Sequence, residues 1–256
     1  MPPYKRIVFF MTVVLAVAVT TAVSALKEGE LSTAKNEAQK VSEEQQETED
    51  DEIPAVDFDS PEPGDTYERA KRRERGAKYD NSAFVRKDDA ASGAVESTFF
   101  SEWDLGLSAI PADKSDVVLI GEVAEAKAYL SNDKTGIYSE FTTRVEKLFK
   151  NSAPTPLAPE EVISLERQGG AVRHPTGRKY HYHVSGQNLP RRGRRYVFFL
   201  SAAEAGQSFV IITAYELKGG KVFPLDSPEQ FQRYKGVDEA EFLRAAQRAV
   251  NSSNRD

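Results

Sequence analysis

From Ser115 to Asp226 the chain is a succession of short apolar or alternating runs, most of them closed by a turn cluster. This rhythm limits the fold more than any other feature, because strands joined by tight turns pair as antiparallel neighbours. SDVVLIGEVAEAKAYL (115–130) is β-rich and runs into SNDKTG. In IYSEFTTRVEKLFKN (137–151), Phe141, Thr143 and Val145 face one way and Thr142, Arg144 and Glu146 the other. That is the period of a half-buried strand. NSAPTPLAPEE (151–161) is a proline-broken loop. EVISLERQGG (161–170) closes on Gly169-Gly170, and KYHYHV (179–184), RYVFFL (195–200), SFVIITAYEL (208–217) and KVFPLD (221–226) follow. Lys218-Gly219-Gly220 suits a hairpin between the last two. With about seven short strands and no βαβ rhythm, the fold class is mainly β, an antiparallel sandwich or a small closed barrel.

Two helices should close the chain, over residues 227–256. Ser227-Pro228-Glu229-Gln230 combines an N-cap residue, a first-turn proline and a glutamine in the pattern of a capping box, and Gly236 ends that helix. Asp238 and Glu241 repeat the signal. Phe242, Leu243, Ala246 and Val250 then share one face, which should lie on the barrel or sheet.

The other half of the chain is organised differently. Lys5 and Arg6 precede an uncharged run over residues 7–26, long enough as a helix to span about 30 Å of hydrocarbon. It is either a membrane anchor or a signal peptide cut near Val23-Ser24-Ala25, and the length of the apolar run favours the anchor. Either way residues 1–26 export the rest of the chain. The domain is then membrane-anchored outside the cytoplasm, or secreted or periplasmic if the segment is cleaved. Residues 27–65 are acidic and polar, the composition of a disordered linker. Residues 66–112 begin with a basic stretch, RAKRRERGAK (69–78), expected as a short solvated helix ended by Gly76, with binding to an anionic surface or folding back on the acidic linker as alternatives. The barrel domain then covers 113–226. The chain has no cysteine, so disulfide scaffolds, Cys-ligated zinc and thiol nucleophiles are excluded. The net charge of -6 is unevenly spread and supports no nucleic-acid partner.

DVVLIGEV, YSEFTTRVEKLFKN and LPRRGRRYVFFL together resemble a group of exported bacterial proteins of unassigned function, whose domain is similar to the netrin/TIMP-type OB barrel. The resemblance covers roughly residues 113–226. It implies a barrel fold and brings no catalytic residues. The inhibitory chemistry of TIMPs, which needs an N-terminal cysteine, does not transfer to this chain.

Catalytic signatures are absent: the chain holds no G-x-S-x-G, H-E-x-x-H, P-loop or G-x-G-x-x-G motif. HPTGRKYHYH (174–183) contains all three histidines. His181 and His183 share a strand face, with Tyr180, Tyr182 and Val184 on the other. A two-residue Thr176-Gly177 loop would bring His174 to the histidine face as a third metal ligand. A three-residue Pro175-Thr176-Gly177 loop would pair His174 with Arg178 and send it to the tyrosine face. Turn chemistry favours the second, since proline suits the first position and glycine the left-handed third. A basic set, Arg173, Arg178, Lys179, Arg191, Arg192, Arg194 and Arg195, is the other candidate. Arginine grips carboxylate and phosphate bidentately, so an envelope protein, a cell-wall polymer or anionic lipid head groups would suit it. The functional expectation is therefore a non-catalytic interaction module at the bacterial envelope, without a cofactor. The alternative is an envelope metal-binding protein or hydrolase using His174, His181 and His183.

Overall fold

The computed structural model describes residues 53–82, 85, 97–99, 106–203 and 208–253. In chain order its elements are β1 (Ala55–Asp57), α1 (Thr66–Ala77), β2 (Ser97–Phe99), β3 (Val117–Leu130), β4 (Ile137–Asn151), β5 (Val162–Gln168), β6 (Gly170–Arg173), β7 (Lys179–Val184), β8 (Arg195–Ala202), β9 (Phe209–Lys218), β10 (Lys221–Pro224), α2 (Glu229–Gln232), β11 (Val237–Asp238) and α3 (Glu239–Ser253). The fold is mainly β. The expectations for the apolar run 7–26 and for the linker up to residue 52 lie outside the described residues. Among the described residues no helix is long and apolar enough to cross a membrane.

The larger sheet runs β11-β10-β9-β5-β4-β3-β8, and β8 also pairs with β9. All its pairings are antiparallel except β5 with β9, which is parallel. β3 and β4 make the long hairpin, 14 and 15 residues. Their register shifts at three points, including Ile120/Gly121, so the hairpin bends and twists instead of lying flat. The alternation read in β4 holds: Phe141, Thr143 and Val145 are buried, while Thr142, Arg144 and Glu146 turn outward. β8 and the first half of β3, Val117–Val123, are buried on both faces. Val117, Leu119, Tyr196, Phe198 and Leu200 join one core. Val118, Ile120, Val197 and Phe199 join a second, against Phe231, Phe242, Ala246 and Val250. The apolar face of α3 therefore covers the sheet as its spacing predicts. Lys218 pairs with Lys221, so Gly219-Gly220 is a two-residue hairpin loop.

Three expectations need correction. The linker does not extend to residue 65. The described residues from 53 onward belong to one compact unit, and β1 pairs in parallel with β6 through Ala55–Ala171, Val56–Val172 and Asp57–Arg173. IPAVDF is a short apolar island in an acidic stretch, and Val56 and Phe58 pack against a cluster of Ile137, Val172 and Tyr182. Gly170 does not sit in a turn but opens β6. The third concerns Ser227, which caps nothing: the residue at the cap of α2 is Pro228, with no side-chain cap bond. A four-residue helix is held instead by Gln232, whose amide donates to the Asp226 carbonyl at 2.7 Å. Asp238 does cap α3, accepting from Ala240 and Glu241 N–H.

The buried tyrosines set an alkaline limit. Burial pushes the Tyr196 hydroxyl up to about 12, against the lowering effect of the Arg191 N–H it accepts. Burial is also the largest cause raising Tyr79, Tyr138 and Tyr215. The fold thus favours neutral phenols, whereas unfolded tyrosine ionises near ~10. This contribution is whole below that value and is lost as pH climbs from it through the folded values. The urea midpoint should hold steady up to about pH 9.5 and fall above about 10. A midpoint unchanged to about 12 would contradict the assignment.

Candidate functional site

The histidine hairpin is the first candidate to place. Arg173 pairs with Lys179, and the His174 N–H donates to the Arg178 carbonyl at 2.9 Å. The loop therefore has three residues, Pro175-Thr176-Gly177. Gly177 has φ +82°, the left-handed value that favours glycine. His174 falls on the tyrosine face. It is 4% exposed, stacked on Phe58 at 4.9 Å and edge-on to Tyr180 at 5.2 Å. His181 and His183 are half-buried on the opposite face. The three-ligand geometry is thus broken by the turn. Among the described residues no three His, Asp or Glu side chains are placed to share a metal ion.

His174 acts as a wedge. Its Nε2 is buried with no hydrogen-bond partner, so its ring serves packing. The Phe58 N–H donates to the Arg173 carbonyl beside it, which clamps the 53–60 segment over the hairpin. His174→Phe should keep the stacking and remove an unsatisfied polar atom. Its Tm should equal or exceed that of the wild type. A clear loss would mean that the imidazole nitrogens have a role this packing does not explain.

The basic set is divided between two places. Arg173, Arg178 and Lys179 lie on the β6–β7 hairpin of the smaller sheet, ordered β1-β6-β7-β2. Arg191, Arg192, Arg194 and Arg195 lead into β8. Several are spent within the fold. Arg173 pairs with Asp57 at 2.8 Å, Arg194 with Glu216 at 3.0 Å, and Arg195 with Glu146 at 2.9 Å. The Arg192 Nε donates to the Ala124 carbonyl at 3.1 Å.

A feature that sequence patterns did not reveal lies under α1. The basic helix is not simply solvated. Arg72, Arg75, Gly76 and Tyr79 fall on one face at helical spacing; Arg75 is buried against the sheet and Gly76 against Asn132 of the β3–β4 turn. Opposite them Glu140 and Glu166 are direct cross-strand partners on β4 and β5. Like charges so placed repel. Arg75 Nη1 meets Glu140 at 2.6 Å and donates to Ser164 Oγ at 3.3 Å, while Lys78 Nζ meets Glu166 at 2.6 Å. Tyr79 stacks on Tyr138 at 4.6 Å. Arg75 Nη2, Glu166 Oε2 and the Tyr138 hydroxyl are buried without a hydrogen-bond partner. The signal was present, as cations at i and i+3 of a helix and acids on the outward positions of two strands. Nothing local says that the one covers the other.

The helix exit is fixed as firmly. Asp133 in the β3–β4 turn accepts the Asn81 N–H at 2.7 Å and bonds Ser131 and Thr135. These bonds, the Asn81 N–H first, hold its carboxyl well below the usual range. A Cβ on Gly136 would lie 2.2 Å from the Tyr79 carbonyl, so glycine is what lets this segment cross the turn.

Between residues 56–63, α1 and the β3–β4 turn opens a cleft of about 110 Å³. Arg69, Arg72, Arg73 and Lys134 line it, with Tyr129 and a single carboxylate, Glu62. Arg73 grips Glu62 through two nitrogens at 2.8–3.3 Å. The basic run does fold back on the end of the acidic stretch, through Glu62 and the Pro63 and Gly64 carbonyls. These features define a mainly β domain with a cation-lined cleft, whose helix is held against the sheet by partly buried ion pairs. Compared with protein-family models and with curated proteins, the chain matches none.

Proposed function

We propose that this chain is a non-catalytic binding module, displayed outside the cytoplasm at a bacterial cell envelope. The observation that carries the proposal is the division of its charges. His174 and several arginines of the basic set serve the fold, while the cleft gathers four cations and one carboxylate at an open surface. Such an excess favours an anionic partner. The uncharged run 7–26 behind Lys5 and Arg6 supports export and anchoring. The strands β3, β4, β5, β9 and β8 each pair with two others of the five. We read that ring as a closed OB-type barrel of the netrin/TIMP kind, a shape used for binding.

Photo-crosslinkers placed around the cleft of the full chain in intact cells test the proposal. A discrete crosslinked partner is the expected result. A hydrolytic activity of the purified chain that one polar substitution abolishes would overturn it. Protease added outside intact spheroplasts should cut the folded part if it is displayed there; full protection would refute that placement.

A further inference from the structure

We infer that the cleft receives a phosphate-type oxyanion on the guanidinium of Arg72. This rests on the binding-module reading and names the chemistry of its ligand. Three of the four lining cations are committed. Arg73 is taken by Glu62. Arg69 donates through Nε and Nη2 to the Pro63 and Gly64 carbonyls. Lys134 donates to the Phe58 carbonyl at 2.8 Å. These bonds fix the walls.

Arg72 differs. It is half-buried, and its guanidinium carbon lies 3.9 Å over the centre of the Tyr129 ring. Among the described residues it has neither a hydrogen-bond acceptor nor a carboxylate partner. The cation–π contact with the ring positions the guanidinium while its N–H groups have no acceptor among the described residues, and a guanidinium so held suits bidentate recognition of an oxyanion. The neighbouring charges favour the same ligand. The lining holds four cations and one carboxylate, and Asp59 lies 3.9 Å from the lining Lys134, so an excess of two positive charges remains around the cleft. A dianion gains more from that field than a single carboxylate does. Size agrees as well. At about 10–15 Å³ per water position, a cleft of about 110 Å³ takes a phosphate with a short ester substituent but not a protein loop.

The test uses the full chain in zwitterionic detergent at constant ionic strength, observed through arginine side-chain NMR resonances. One arm titrates inorganic phosphate. The other dopes an anionic phospholipid into the same micelles. A saturable shift of Arg72 in either arm is expected, and the arm that gives it identifies a free or a lipid-borne phosphate. Arg72→Gln should weaken binding roughly tenfold to a hundredfold, as for a lost charge-assisted contact. Arg72→Lys keeps the charge without the fork and should lie between. Arg72→Lys also serves if Arg72→Gln fails to fold. No saturable shift in the folded wild type, or equal binding by the variants, overturns the inference. Failure of the two readings is separable in cells. If wild type and Arg72→Gln crosslink one partner equally, the module reading stands and the phosphate assignment falls. If phosphate binding depends on Arg72 while no partner is captured, the assignment stands and the module reading falls.

Discussion

Asp226→Ala is expected to remove about 3–5 kcal/mol of stability, the cost of breaking one partner out of a buried ion pair. Asp226 is 0% exposed, and its partner Arg167 is 2% exposed at 2.8 Å. The carboxylate is fully used: Oδ2 accepts from Arg167 Nη2 and Thr213 Oγ1, and Oδ1 from the Asn188 N–H. Its loss strands three donors at once. Arg167 keeps only the Asn188 carbonyl and a longer bond of 3.3 Å to Ile212, and its Nε already lacks a partner. A fold of ordinary stability, about 5–15 kcal/mol, would lose from roughly a fifth to the whole of its margin. Urea unfolding measures this. The double variant Arg167→Met/Asp226→Leu should recover most of the loss, because removing both charges removes the desolvation cost as well. If the double variant is as unstable as the single one, the pair is not what holds this junction of β5, β9 and the segment after β10.

The elements that were legible in the sequence are those whose instructions are local. Pro175 and Gly177 specify a three-residue loop, and the loop alone decides that His174 leaves the face of His181 and His183. Gly219-Gly220 sets the β9–β10 hairpin, and Phe242, Ala246 and Val250 mark the buried side of α3. The elements that were missed depend on partners far along the chain. β1 and β2 pair in parallel with β6 and β7, and a three-residue strand has too few positions to show a period. The charged residues mislead for a different reason. Arg167 and Glu166 are consecutive in β5 and both are buried, so that strand shows no polar face. Charge predicts exposure only when nothing else covers the strand. Here Asp226 covers one side and Lys78 the other. Arg75 was hidden in the same way, inside a run whose composition suggests solvent.

Lys78→Met should give the other large effect, and it should be local before it is global. Glu166 is 0% exposed, lies opposite Glu140, and already has one oxygen without a partner. Without Lys78 it becomes a buried charge facing a like charge. The cost should fall toward the lower end of about 3–5 kcal/mol, because Lys78 itself is 39% exposed and partly screened. That energy acts on the docking of α1, where Arg75 with Glu140 and Ser164, Tyr79 on Tyr138, Asn132 on the Arg73 carbonyl and the Asn81–Asp133 bond remain. Limited proteolysis should therefore cut within residues 60–82 well before the sheet unfolds, and amide exchange in α1 should rise while that of β3 and β8 does not. Glu166→Gln in the Lys78→Met background should restore protection, because a neutral amide removes the repulsion and retains a hydrogen-bonding group. The cleft residues Arg69, Arg72 and Arg73 ride on the same helix, so Lys78→Met should also weaken any ligand held there without touching it. Loss of helix protection with unchanged cleft binding would separate the two and show that the Lys78–Glu166 pair supports the fold alone.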